Sequence, residues 1–141
     1  MGMMDDFRTE LSALIETMVA GGIEPVFLAV DLVGAAHIKR AHGAESLDSF
    51  RSAAMASLSG GAYGAEVFAY GEQTLVAILP GYPRLKTFAI IDKLRRVMPL
   101  LAQSFDCMLE PEFDTFEYDA TTGVAGLINQ LVKAQAMRNA A

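Results

Sequence analysis

A chain of 141 residues, 52% apolar and 20% charged, has the length and composition of one well-packed domain and is unlike a disordered chain. A net charge of −6, with Lys39-Arg40 and Arg95-Arg96 as pairs rather than a stripe, excludes nonspecific nucleic-acid binding, which needs clustered cations to displace counterions. The single Cys107 excludes an internal disulfide and a cysteine-rich zinc site, no apolar run is long enough to span a bilayer, and Asp5 and Asp6 do not suit a signal peptide.

The first predicted element is a helix over Met4 to Ala20, with Phe7, Leu11, Leu14, Ile15, Met18 and Val19 at helical spacing, stopped by Gly21-Gly22. Pro25 to Val30 reads as a buried strand ending on Asp31. Gly34 and a short helical turn through His37 to Arg40 follow, with a break at Gly43. Ser46 is the expected N-cap of a helix from Leu47 to Leu58, whose inner face carries Phe50, Ala54 and Leu58. Ser59 to Ala62 is a loop. Val67 to Tyr70 and Leu75 to Leu79 then read as a hairpin joined by Gly71-Glu72-Gln73-Thr74 and closed by Pro80.

Gly81-Tyr82-Pro83 turns the chain into a helix from Arg84 to about Gln103, kinked or shortened by Pro99. Its spacing points Leu85, Phe88, Ile91, Leu94, Met98 and Leu101 inward. Phe105 to Tyr118 alternates in part and predicts a strand pair bent at Pro111. A last helix, Gly123 to Met137, places Leu127, Ile128, Leu131 and Ala134 on its apolar side. Stripped of its additions, the N-terminal helix, the short turn through His37 to Arg40 and the last helix, the order is β-α-β-β-α-β. That order implies an α+β, ferredoxin-like palm of the nucleotidyl-cyclase type, a central antiparallel sheet with helices packed around it; the minimal palm packs them on one face. Residues 1–22 form an N-terminal helical element, a connector or dimerisation helix, and 23–141 the palm domain.

A carboxylate at the end of one core strand, beside the tip of the next hairpin, is where such palms hold metal. The run Leu28-Ala29-Val30-Asp31-Leu32-Val33, followed by Ile38, Gly43 and Asp48, resembles the first half of a GGDEF (diguanylate cyclase) domain, which reads L-x-x-D-x-D-x-F-K-x-x-N-D-x-x-G-H-x-x-G-D. Phe68 to Pro80 is similar to that family's R-Y-G-G-D-E-F-x-x-x-L-P. The resemblance covers roughly Ile23 to Gln103, and the C-terminal part only by order of elements.

In active members, the resemblance implies, two metal ions bind a carboxylate at the strand end and another in the hairpin, activating one GTP against the α-phosphate of a second. Hard oxygen ligands are needed to hold Mg²⁺ against the developing charge. Asp31 matches the first metal carboxylate, and Asp48 the guanine-reading aspartate. The pattern's second strand aspartate falls on Val33 and its guanine-reading asparagine on Lys39. The signature itself is Gly71-Glu72-Gln73-Thr74-Leu75: Gly71 is kept, Glu72 replaces the second glycine, and Gln73 and Thr74 replace the acids. A glutamate adds bulk and repulsion where backbone must approach phosphate. The family's inhibitory Arg-x-x-Asp falls on Ala62 and Ala65, and the D-x-L-T-x-L-x-N-R motif that opens the family's domain is missing.

Simpler readings stand beside these. Asp31 can cap its own turn, and Asp48 can stabilise the first turn of its helix with no ligand present. His37 and His42 lack a third ligand nearby, Cys107 reads as a small buried hydrophobe, and the scattered methionines fill core gaps. The N-terminal face of Phe7, Leu11, Leu14 and Met18 either packs on its own sheet or forms an interaction face.

The expectation is therefore a non-catalytic GGDEF-like domain of bacterial signalling, a regulatory or protein-interaction module with no metal and no cofactor. Asp31, Asp48, Gly71, Gln73 and Thr74 are its vestigial metal and nucleotide site. Its partners are another protein or a second copy, not nucleic acid or membrane, and its location is cytoplasmic. The alternative is a non-catalytic sensor that still binds GTP or a related nucleotide weakly. Lys39 separates the two, because an ammonium cannot reproduce the amide reading of a guanine edge.

Overall fold

Two strands buried on both faces organise the fold: β1 (Val26–Val33) and β3 (Thr74–Leu79). Their near-continuous apolar runs suit central strands covered on each side. The structure, a computed structural model, describes the backbone of residues 3–71 and 73–140 and the side chains of 8–71 and 73–137. The chain runs α1 (Met3–Ala20), β1, α2 (Ala35–His42), α3 (Ala44–Gly61), β2 (Glu66–Tyr70), β3, α4 (Arg84–Gln103), β4 (Glu110–Glu117) and α5 (Gly123–Ala140). The sheet has the order β2-β3-β1-β4, with every neighbour antiparallel. The expected α+β palm with its central antiparallel sheet is the observed architecture.

Strand alternation sends two sets of side chains to two cores. Leu28, Val30, Leu32, Leu75, Ala77 and Leu79 pack against Phe50 and Leu58 of α3 and Ile90, Leu94 and Met98 of α4. Phe27, Ala29, Val76 and Ile78 pack against Leu11 and Ile15 of α1 and Leu127, Ile128 and Leu131 of α5. Helices thus cover both faces, not the single face of a minimal palm. Burying Leu11 and Ile15 contributes about 1.5–3 kcal/mol each, enough to fasten α1 to the sheet.

Several boundaries differ from the sequence reading. β1 runs past Asp31, because Leu32 and Val33 pair with Pro111 and Glu110 of β4. α3 begins at Ala44 with Gly43 as N-cap, and the Ser46 hydroxyl donates to the His42 carbonyl at 3.2 Å instead of capping. Asp48 therefore lies beyond the first turn of α3. The expected strand pair over Phe105 to Tyr118 is one strand, and Pro111 is tolerated because β4 is an edge. α4 runs through Pro99 to Gln103, and its expected inward face is met at Leu94 and Met98 but not at its start. Thr87, Ile90, Leu94, Met98 and Ala102 are buried, whereas Leu85 is 83% and Phe88 56% exposed.

Gly34 brings together the end of β1 and the segment after α4. Its φ is +104°, and a Cβ there would stand 2.7 Å from the Met108 carbonyl oxygen. The Cys107 thiol donates to the Gly34 carbonyl at 3.3 Å, so the segment leaving α4 is docked against the end of β1. Burial pushes that thiol's pKa up.

Candidate functional site

Asp31 shares the β1 face of Phe27 and Ala29, so alternation aims it at α5. It is 6% exposed, opposite Thr74 on β3 and Glu112 on β4. Thr74 is 2% exposed, and its hydroxyl donates to the Gln135 Oε1 of α5 at 3.0 Å. Asp31, Thr74 and Asp114 line one side of a cavity that Leu131, Ala134 and Gln135 close from the other. The cavity volume is about 10 Å³, room for a single water at most.

The hairpin tip is held from two other directions. The Leu32 amide donates to the Gln73 carbonyl at 2.7 Å, lacing the tip to β1. The Arg51 guanidinium of α3 donates to the Gly71 carbonyl at 3.2 Å and stands 3.8 Å from the Asp48 carboxylate. Gly71 has φ +77°, the left-handed conformation for which glycine is suited. Glu72, the residue between Gly71 and Gln73, lies outside the described residues.

Of the residues singled out in the sequence, Asp31 and Thr74 meet in the cavity. Gly71, Gln73 and Asp48 do not line it; Gly71 and Asp48 are connected through Arg51 instead. Ala62 is buried and Ala65 packs on the first core. On α1, Leu11 is buried and Met18 packs beside it, so the expected face of four is divided and Leu14, 37% exposed, looks outward. The Phe7 side chain lies outside the described residues.

Asp114, Gln135 and Arg51 escaped the sequence reading. Gln135 had a legible signal: it stands at i+4 and i+8 from Leu131 and Leu127, a polar residue on an apolar stripe.

A hydrated divalent metal does not fit this cavity, although Asp31 and Asp114 would offer it two carboxylates. Mg²⁺ keeps several waters and demands octahedral oxygen geometry, and the cavity offers two carboxylates and no room for that shell. Among the described residues no group of three His, Cys, Asp or Glu side chains could hold a metal ion. His42 lies 4.0 Å from Asp106 and belongs to no such group. Among the same residues no helix is long and apolar enough to cross a membrane.

No protein-family model and no curated protein matches the sequence. Solved structures do match the fold. The active GGEEF domain of a diguanylate cyclase from Vibrio cholerae superposes with a TM-score of 0.71 at 10% identity, over 96% of this chain and 90% of that one. The fold is that of a GGDEF domain. The GGDEF domain of DgcB from Caulobacter crescentus, in complex with c-di-GMP, matches at TM-score 0.65 and 14% identity, over 87% of this chain and 76% of that one. A sensory box/GGDEF family protein from the same organism matches at 0.60 and 15% identity, over 94% and 92%. At these identities the likeness speaks for the GGDEF fold alone.

Proposed function

We propose that this GGDEF-fold chain is a catalytically silent signalling domain that works by binding other protein surfaces. The observation that carries the reading is the closed cavity at Asp31. A nucleoside triphosphate needs a cleft of hundreds of cubic ångströms, and about 10 Å³ lies between Asp31 and α5. The altered signature supports the same reading from the sequence side: Gln73 and Thr74 supply an amide and a hydroxyl where metal needs carboxylates. Thr74 uses its hydroxyl on Gln135, an interaction internal to the fold.

Purified protein incubated with GTP, or ATP, and Mg²⁺ or Mn²⁺ should form no cyclic dinucleotide above a protein-free control. Product that accumulates with time and disappears on Asp31→Ala would overturn the proposal. A thermal-shift series with GTP, GDP, ATP and cyclic di-GMP separates the sensor alternative, since a saturable ligand of the native state raises the melting temperature by mass action. The silent-module reading expects no shift.

A further inference from the structure

Charge is unevenly divided over this molecule. α4 carries Arg84, Lys86, Lys93, Arg95 and Arg96 against the single acid Asp92, nearly half of the eleven Lys and Arg residues of an acidic chain. Its solvent face also bears Leu85, Phe88 and Leu100, which are 83%, 56% and 60% exposed. Lys86 is occupied by the rings of Tyr63 and Tyr82, at 4.4 and 3.9 Å, and Arg95 stands 3.7 Å from Asp92. Lys93 and Arg96 have no ion pair among the described residues. Arg84, beside Leu85, stands 3.7 Å from the Glu117 carboxylate, so the result is an apolar ridge at the start of α4 with the unpaired cations Lys93 and Arg96 one to two turns further along the same helix.

The opposite face of the sheet shows the complement. Between α1 and the edge strand β2 lies an open groove of about 190 Å³. Its floor is Leu11, Leu14, Val67, Phe68 and Ile78, and Glu10 and Glu66 stand at its rim. Neither carboxylate has an ion pair among the described residues. α1 adds to the negative field, with Glu10 and Glu16 against Arg8 alone among its described side chains. The groove exists because α1 and α5 cover the centre of the sheet and leave β2 at its edge partly uncovered.

We propose that this groove receives the Leu85–Phe88 ridge of a second copy of the chain, giving head-to-tail association. An apolar floor with an acidic rim matches an apolar ridge carried on a net basic helix, with Lys93 and Arg96 as the cations left to meet Glu10 and Glu66. Ridge and groove lie on opposite faces of the sheet, so one copy cannot satisfy itself. Pairing α4 with α4 across a two-fold axis would set like charges together, which disfavours an isologous dimer. The inference rests on the interaction-module reading and supplies its partner.

Sedimentation velocity on the full chain tests it. At low salt the weight-average mass should rise above the 15.1 kDa of the monomer with concentration, and fall back at high salt as the charges are screened. Leu14→Asp and Phe88→Asp change exposed side chains, one in the groove and one on the ridge. Each should weaken association about tenfold or more, as loss of a central apolar anchor does. Circular dichroism and melting temperature of each variant confirm that the fold is kept. Because each variant keeps one intact half, mixing the two should restore a 1:1 complex of twice the monomer mass that does not grow further.

A parent protein that stays monomeric at every concentration overturns the proposal. So does a mixture that stays monomeric, which would mean that groove and ridge do not pair. Binding of the monomer to vesicles containing phosphatidylglycerol, lost in Phe88→Asp, would assign the ridge to an anionic lipid surface instead. None of these results bears on the cyclase assay, so self-association and catalytic silence stand or fall separately.

Discussion

The Thr74 hydroxyl donates to the Gln135 side-chain carbonyl at 3.0 Å, joining the hairpin to the last helix beside Asp31. This contact spans 61 residues of sequence and ties the end of the chain to the hairpin at the cavity beside Asp31.

Thr74→Val keeps the shape of the side chain and removes its donor. It should lower unfolding free energy by about 1–2 kcal/mol, because Gln135 is left half-buried without that partner. Urea denaturation of Thr74→Val, Gln135→Leu and the double variant should give a double effect smaller than the sum of the singles. Strict additivity would mean the two side chains contribute independently.

Gly34→Ala tests the docking of the segment after α4. The φ of +104° disfavours any Cβ, and the new atom would meet the Met108 carbonyl oxygen at 2.7 Å. The expected loss is about 2–3 kcal/mol, near that of a strained backbone site elsewhere. A stability equal to the parent's would show that the segment moves aside freely.

Much of this architecture was legible in the sequence because buried strands and amphipathic helices leave periodic traces. The hairpin, β1, and the paired Leu127 and Leu131 of α5 follow from those traces directly. The bounds of α4 and its inward Leu94 and Met98 were legible too, but Leu85 and Phe88 satisfy helical spacing equally well on an outward stripe, and periodicity does not say which stripe meets the sheet. Asp31 at a strand end and Thr74 at the hairpin tip were visible locally. Their burial was not, since it depends on Leu131, Ala134 and Gln135 arriving from the far end of the chain.

The start of α5 provides a pH test. The exposed Asp119 carboxylate accepts hydrogen bonds from the Thr121 amide at 2.9 Å and the Thr121 hydroxyl at 2.8 Å. The backbone bond first and the hydroxyl second hold its pKa below the ordinary carboxylate value. A depressed folded-state pKa stabilises above the unfolded value, and that contribution is lost as pH falls through the folded one. The melting temperature of Asp119→Ala should therefore lie below the parent's at neutral pH, and the gap should narrow on acidification into and below the carboxylate range. A gap independent of pH would assign the effect to packing rather than to the charge.

Restoring the signature alone should not restore a cyclase. Glu72→Gly, Gln73→Asp and Thr74→Glu together return the glycine and both acids to the hairpin. Thr74 is 2% exposed and faces Asp31 across the ladder, so a glutamate there is forced beside an existing carboxylate under α5. Burying it without a partner costs about 3 kcal/mol, and the variant should be clearly less stable than the parent in urea. Gln135, Leu131 and Ala134 would still fill the space above, and Lys39 would still stand where the resemblance to the GGDEF pattern implies an asparagine. Turnover requires the nucleophile and the α-phosphate to be aligned within fractions of an ångström, and a closed cavity cannot admit either. Chromatography of the reaction with GTP and Mg²⁺ should show no cyclic di-GMP. Ready production by a stable triple variant, abolished by Asp31→Ala, would mean that α5 moves aside and that the nucleotide sensor reading should replace the silent module.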